Sequence, residues 1–211
     1  MDELVFEPEL EPSVASAVFG DRIEQARGYA NALVRDGDLL GLLGPRELPR
    51  LWSRHILNSA VVSELVSPGK TVADIGSGAG LPGIPMAICL PENHFTLIEP
   101  MERRSDWLKE LVVELGLTNV TVLRARAEEV GEAFDIATAR AVSALPKLLR
   151  LVVPLVRPGG EVLALKGAKA AEEIEESKRL QKKLGISSFE TVYAGQGLLT
   201  EPTLVVRTKL V

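Results

Sequence analysis

The sequence predicts an α/β fold: a mostly parallel sheet with flanking helices, preceded by an N-terminal helical segment. Three observations predict it. From residue 71 onward short β-rich runs alternate with helical stretches, the pattern of a parallel sheet wrapped by crossover helices. The first run leads straight into a glycine-rich turn, Gly76-Ser77-Gly78-Ala79-Gly80-Leu81-Pro82-Gly83. The stretch 102–115 carries Trp107, Leu108, Leu111, Val112 and Leu115 on one helical face, the stripe such a crossover must bury.

The elements follow in order. Residues 1–20 hold Asp2, Glu3, Glu7, Glu9 and Glu11 with Pro8 and Pro12 and no Lys or Arg. So little apolar surface among so many acids predicts a mobile acidic tail outside the fold. Residues 21–66 form the helical segment. Ile23, Ala26, Tyr29, Ala30, Leu33 and Val34 recur at helical spacing, and Leu51, Ile56, Leu57, Ala60, Val61 and Leu65 follow the Gly44-Pro45 break.

Ser67-Pro68-Gly69 opens the core, residues 67–211, which makes one structural unit with the helical segment. Strands are expected over 71–75, 95–99, 120–124, 136–139 and 161–165. A charged helix over 169–184 places Glu175 and Arg179 at the favourable i, i+4 spacing. Two β-rich runs, 189–193 and 203–206, are separated by a short connection and should pair antiparallel at one sheet edge.

Composition narrows the function. The chain has 211 residues, enough for one α/β unit, with 46% hydrophobic and 25% charged residues. No apolar run reaches membrane-spanning length and the N-terminus is acidic, so neither a membrane nor a secretory route is expected. One cysteine, Cys89, excludes an internal disulfide, and two histidines leave almost no ligands for zinc. No metal site is expected, and a reducing cytoplasm fits. The net charge of −5 argues weakly against a nucleic-acid partner, but residues 21–211 balance at 24 bases against 24 acids.

The chemistry concentrates at the glycine turn. Its glycines let the backbone leave a strand tightly and approach a ligand closely, while Pro82 and Pro85 suit the first turn of a following helix. Two cofactors compete for it. Gly78-x-Gly80-x-x-Gly83 matches the dinucleotide fingerprint, with Glu99 placed 21 residues after Gly78 as a ribose-binding acid. Alternatively Gly76-x-Gly78-x-Gly80 is the turn of an S-adenosylmethionine site. Asp74 favours the second reading, because a carboxylate there would repel a pyrophosphate but attract the ammonium of a methionine moiety.

Six ordered segments carry a wider resemblance: Arg54-His55-Ile56-Leu57-Asn58-Ser59, the glycine turn through Leu81-Pro82-Gly83-Ile84-Pro85, Glu99 with Arg103-Arg104, Arg126-Ala127-Glu128, Arg140-Ala141-Val142, and Gly159-Gly160 leading to Leu165-Lys166-Gly167. Together they resemble the bacterial small-subunit ribosomal RNA methyltransferase G family (RsmG/GidB), within the S-adenosylmethionine-dependent class I methyltransferases of Rossmann-like fold. The resemblance implies N7-methylation of a guanosine in the decoding-region hairpin of 16S rRNA, within the 30S subunit or its precursor. It implies that Gly76 and Leu81 line the methionine end of the donor, Ala127 and Glu128 border the adenine, Arg140 lies beside the donor and substrate pocket and Glu99 takes the ribose hydroxyls, at a site to which the turn itself adds Asp74, Ser77, Gly78 and Gly80. Three departures stand out: Asn58 and Glu99 occupy positions where the family commonly has Asp, so no catalytic carboxylate is available at residue 58, and the acidic tail of residues 1–20 lies outside the pattern and is assigned no role.

Guanine N7 already carries an in-plane lone pair, so attack on a sulfonium methyl needs no general base, and none is evident. A cation donating to guanine O6 would hold the base. Arg140 and Lys166 follow the fourth and fifth strands, near the edge where such sheets bind ligands, and are the expected substrate-positioning residues. His55 joins them through its matching segment, although a lone histidine among helical apolar residues commonly serves structure. Arg103, Arg104 and Arg126 are the candidate RNA contacts. Basic side chains at a helix start call for an anionic partner, either a phosphate or Glu99 or Glu102. No DNA partner is expected. Two other function classes remain on sequence grounds: a nicotinamide-dependent oxidoreductase and a noncatalytic ribosome-assembly factor.

Overall fold

A computed structural model describes residues 6–211 of the chain. One seven-stranded sheet organises it: β1 (Thr71–Ile75), β2 (His94–Ile98), β3 (Val120–Leu123), β4 (Phe134–Arg140), β5 (Val156–Leu165), β6 (Ile186–Ala194) and β7 (Thr203–Leu210). Their spatial order is β3-β2-β1-β4-β5-β7-β6. The first five are parallel, whereas β7 runs antiparallel to both β5 and β6. The order reverses between β1 and β4, which leaves a crevice beyond their carboxyl ends, the usual ligand position in such sheets.

The alternation of side chains along β1 and β4 divides the core into two layers. Val72 and Ile136 join one apolar cluster with the N-terminal helices, α4 (Gly83–Cys89) and α5 (Glu102–Glu114). Ala73, Ile75, Ala137 and Ala139 join the other, with α6 (Leu145–Val152) and part of α7 (Ala170–Ser177). Asp74, Thr138 and Arg140 therefore share the face covered by the helical segment. Trp107 is buried on the α5 stripe and donates to Asp36 Oδ2 at 2.8 Å.

The expected strands are all present, with longer ends at one side. β5 begins at Val156, where Arg157 pairs with Asp135 of β4, and β7 continues to Leu210, where Arg207 and Lys209 are held by Glu161 and Glu190 of the adjacent strands. Those charges concealed strand structure in the sequence.

The acidic tail is corrected for its described part. The first five residues of the expected 1–20 tail lie outside the described residues. Residues 15–19 form α1, with Ala15 and Phe19 buried in the main core. Glu9 Oε2 accepts from the Ser53 backbone N–H at 2.9 Å, and Glu11 takes two hydrogen bonds from Arg27. Glu9 and Glu11 find a backbone donor and a cation on the body, and Ala15 and Phe19, with Val14 and Val18 packed beside them, dock the segment.

The helical segment begins with α2 (Ile23–Asp36), then changes pitch repeatedly: a 3₁₀ stretch at Pro45–Arg50, a π-helical turn at Leu51–Leu57, the short α3 (Asn58–Ala60), and a further 3₁₀ stretch at Val61–Leu65. The pitch changes allow Leu51, Ile56, Leu57, Ala60 and Val61 all to be buried. The single helix expected over 169–184 is likewise divided into α7, a 3₁₀ turn at Lys178–Leu180 and α8 (Gln181–Leu184). A 3₁₀ turn aligns residues three apart, so Glu175 pairs with Lys178 instead of Arg179. Among the described residues no helix is long and apolar enough to cross a membrane.

Candidate functional site

At the end of β1 the backbone turns through Gly76, Gly78 and Gly80 at φ of +67°, +59° and +87°, conformations that a residue with a Cβ adopts only under strain. Gly76 and Ser77 donate to the Ile98 carbonyl at 2.9 and 3.2 Å, which fixes the turn against β2. The glycines have different tasks. A Cβ at Gly83 would lie 2.4 Å from Leu97 Cδ2 and 2.6 Å from Asp74 Oδ2, so this glycine lets α4 pack on the sheet. At Gly78 the nearest such atom is 3.8 Å away, so that backbone lies open to a ligand.

Asp74 is fully buried. Its Oδ2 accepts from Ser77 Oγ at 2.6 Å and from the Gly83 N–H at 3.0 Å, whereas Oδ1 has no partner among the described residues. Burial pushes its carboxyl up to about 7; the Ser77 and Gly83 hydrogen bonds oppose the rise and nearby Glu99 adds to it. Glu99 is pinned by two backbone donors, Gly78 N–H to Oε2 and Met101 N–H to Oε1, both at 2.9 Å. Each oxygen keeps a lone pair for a hydroxyl donor. Leu81 is buried, and Tyr29 of α2 clasps the turn by donating to the Ala79 carbonyl at 2.7 Å.

Across the crevice, Arg140 ends β4 on the same face as Asp74. Its Nη1 donates to the His55 carbonyl at 3.3 Å and Ser59 Oγ at 3.2 Å, and its Nη2 meets His55 Nδ1. Among the described residues no carboxylate touches this guanidinium; burial draws its pKa down from the ordinary arginine value, although such a group stays charged. The next residue, Ala141, is the one described non-glycine residue at positive φ, +55°, a strain typical of functional loops. Val142 then reaches back over the turn, 3.1 Å from where a Gly76 Cβ would stand.

The other expected residues are distributed less simply. Ala127 is buried and Glu128 exposed in a 3₁₀ turn after β3, at the same carboxyl edge. Arg126 is exposed beside them, its backbone N–H held by Glu129. Lys166 is not poised in the crevice as a substrate cation: its Nζ donates to the Ser143 carbonyl at 2.7 Å and lies 2.8 Å from Glu173 Oε2. Glu173 also accepts from the Leu145 N–H at 2.6 Å. Lys166 thus anchors the loop that follows Arg140.

Arg103 and Arg104 find neither Glu99 nor Glu102 at the start of α5. Their Nη2 atoms donate to the carbonyls of Leu40 and Gly41, each at 2.8 Å, and it is Arg124 that engages Glu102. Loop carbonyls take one N–H of each cation that the helix dipole disfavours, while Arg104 Nε has no partner among the described residues. His55 also departs from expectation. Its ring is buried, with Nε2 2.8 Å from Glu47 Oε2 and Nδ1 on Arg140, so both nitrogens are occupied by protein.

Tyr29, Glu47 and Ser59 complete the arrangement and were not candidates on sequence. Tyr29 read as one more apolar position of a helix. No spacing rule links Glu47 to His55 eight residues later across a change of helical pitch.

The chain matches the family described as rRNA small subunit methyltransferase G over residues 22–200. A ribosomal RNA small subunit methyltransferase G from Arthrobacter sp. (strain FB24) is 54% identical over 199 residues, covering 93% of this chain and 92% of that protein. The one from Clavibacter michiganensis is 49% identical over 211 residues, covering 99% of each. Among solved structures, a methyltransferase from Pyrococcus furiosus superposes with a TM-score of 0.57 at 18% identity, over 74% of this chain and 83% of its own. A SAM-dependent methyltransferase from Aquifex aeolicus gives 0.54 at 21%, over 73% and 89%. These two likenesses concern the fold.

Proposed function

The chain belongs to the ribosomal RNA small subunit methyltransferase G family and uses S-adenosyl-L-methionine, and from that premise we propose that it methylates N7 of a guanosine in the decoding-region hairpin of 16S rRNA. The substrate is the 30S subunit or its precursor. One observation supports this placement of the chemistry: an open glycine turn, a buried carboxylate with one oxygen unpartnered among the described residues, and a half-buried guanidinium that no described carboxylate touches converge where β1 and β4 diverge. Family membership decides against a nicotinamide-dependent oxidoreductase and a noncatalytic assembly factor.

The residues fit the donor. Asp74 Oδ1 is the acceptor for its ammonium, Gly76, Ser77, Gly78, Gly80 and Leu81 line the methionine end, Glu99 takes the ribose hydroxyls, and Ala127 and Glu128 border the adenine. S-adenosyl-L-methionine supplies the electrophilic methyl group. The protein's share of the reaction is alignment, since the N7 lone pair needs no base. An arginine has five N–H groups; three of those on Arg140 are engaged by His55 and Ser59. Two remain to bind donor or guanine O6 while leaving N7 unobstructed. The exposed Arg126 and Arg54 contribute phosphate contacts at the rim.

Supplying labelled donor to 30S particles from cells lacking the enzyme, and mapping the product, tests the reading. Label is expected on a single guanosine of the hairpin, as 7-methylguanosine. Label on another base, or elsewhere in the RNA, overturns it. Arg140→Ala should reduce transfer at least about a hundredfold, the scale of lost alignment, and normal turnover by that variant would remove Arg140 from the mechanism.

A further inference from the structure

Arg140 is a half-buried cation whose orientation rests on neutral acceptors, and the most directional of them is a ring nitrogen. A guanidinium only donates, so the His55 Nδ1 that it meets must be an unprotonated acceptor. Burial and the charge of Arg140 push His55 down to about 4, so near pH 7 the ring is neutral and has one N–H. That hydrogen is then on Nε2, which faces Glu47 Oε2 at 2.8 Å.

Glu47 is well suited to receive it. Its hydrogen bond with His55 holds the carboxyl below the usual range, despite partial burial, with the cations of Arg50 and Arg54 contributing. Arg50 Nη2 occupies the other oxygen, Oε1, at 2.9 Å, leaving Oε2 directed at the ring. The opposite tautomer would set an N–H of the ring against an N–H of Arg140, a repulsive contact at the end of β4. The three groups come from a 3₁₀ stretch, a π-helical turn and a strand, so the contact exists only in the folded chain.

We infer that Glu47 is a positioning residue for methyl transfer: by accepting from His55 Nε2 it fixes the histidine tautomer whose Nδ1 aims the Arg140 guanidinium into the crevice. This rests on the role given to Arg140 above. Neither Glu47 nor His55 then touches donor or RNA, and a mutational effect at either reaches the reaction through Arg140. The side-chain oxygen as an acceptor is what matters, so an amide replaces it and a hydrocarbon does not.

The experiment compares Glu47→Gln with Glu47→Leu in the full-length protein by ¹⁵N imidazole NMR and by single-turnover methyl transfer. Only His55 and His94 contribute ring signals, and a His94→Gln background assigns them. In the unsubstituted protein and in Glu47→Gln the His55 proton should reside on Nε2. In Glu47→Leu it should no longer be confined there, and transfer should slow by about tenfold to a hundredfold, with most of the rate restored in Glu47→Gln. A proton on Nδ1 in the unsubstituted protein overturns the inference whether or not any variant folds. So does a Glu47→Leu protein with the Nε2 tautomer and full rate, or a Glu47→Gln protein as slow as Glu47→Leu. A fully active Arg140→Ala protein would instead count against the role of Arg140, leaving the NMR result to judge the tautomer.

Discussion

Asp74 carries the clearest consequence at the scale of a single residue. Its carboxyl titrates at about 7 because burial outweighs the Ser77 and Gly83 hydrogen bonds. If the donor ammonium partners Oδ1, ionised Asp74 binds the donor and protonated Asp74 does not. Raising the pH from 6 to 8 should then tighten donor binding about tenfold, the change in ionised fraction across that pKa. Titration calorimetry should show this pH dependence and its loss in Asp74→Asn; a flat profile in the unsubstituted protein rules out the ammonium contact. Asp74 and Glu99 were legible in the sequence because each ends a strand at a fixed distance from the glycines. Glu47 was not, because an acid beside Pro45 and Pro49 looks like any loop acid until the fold sets His55 against it.

Among the elements, the loop between β4 and α6 depends on a cation that sequence position alone assigned to substrate. Lys166 and Glu173 are both largely buried and meet at 2.8 Å, tying β5 and α7 to Ser143 and Leu145. Lys166→Met keeps the aliphatic stem but leaves Glu173 without its cation, and should cost on the order of 3 kcal/mol in denaturant unfolding. The same variant should loosen the Ala141 turn and raise the donor dissociation constant. Unchanged stability would show that the pair is not an anchor. Strand positions were readable from alternating and β-branched runs, but not the ends of β5 and β7, where cross-strand ion pairs allow charged residues to continue a strand. Helix extents were less readable, since pitch changes at 45–65 and 178–180 arise from packing and not from local propensity.

For the whole molecule, the docked N-terminal segment and two buried titrating groups lead to separate expectations. Removing residues 1–20 strips Ala15 and Phe19 from the core and the Glu9 and Glu11 contacts from the body. Burying a side chain the size of Phe19 is worth about 3 kcal/mol, so the truncated protein should melt several degrees lower; an unchanged melting temperature would show the segment to be dispensable. The pH dependence of folding has two opposed contributions. His55, lowered to about 4 from 6.5, stabilises the fold above pH 6.5, and that stability is lost as pH falls through 4. Asp74, raised to about 7 from 3.8, acts oppositely: its contribution is complete below 3.8 and is lost as pH rises through 7. Asp74→Asn removes the compensation, so its stability should fall more steeply than that of the unsubstituted protein between pH 7 and 4, by on the order of 3 kcal/mol. Parallel melting curves would refute the opposed pair. By itself the sequence determined the parallel sheet, the glycine turn, its two strand-end acids and the family, because these depend on short-range pattern and on residues that must stand at set spacings along one strand and turn. Only the tertiary structure decided that Lys166 is an anchor, that Arg103 and Arg104 hold a loop, and that His55 faces Arg140 and Glu47. A charged side chain takes its role from the nearest opposite dipole, and folding alone determines which one that is.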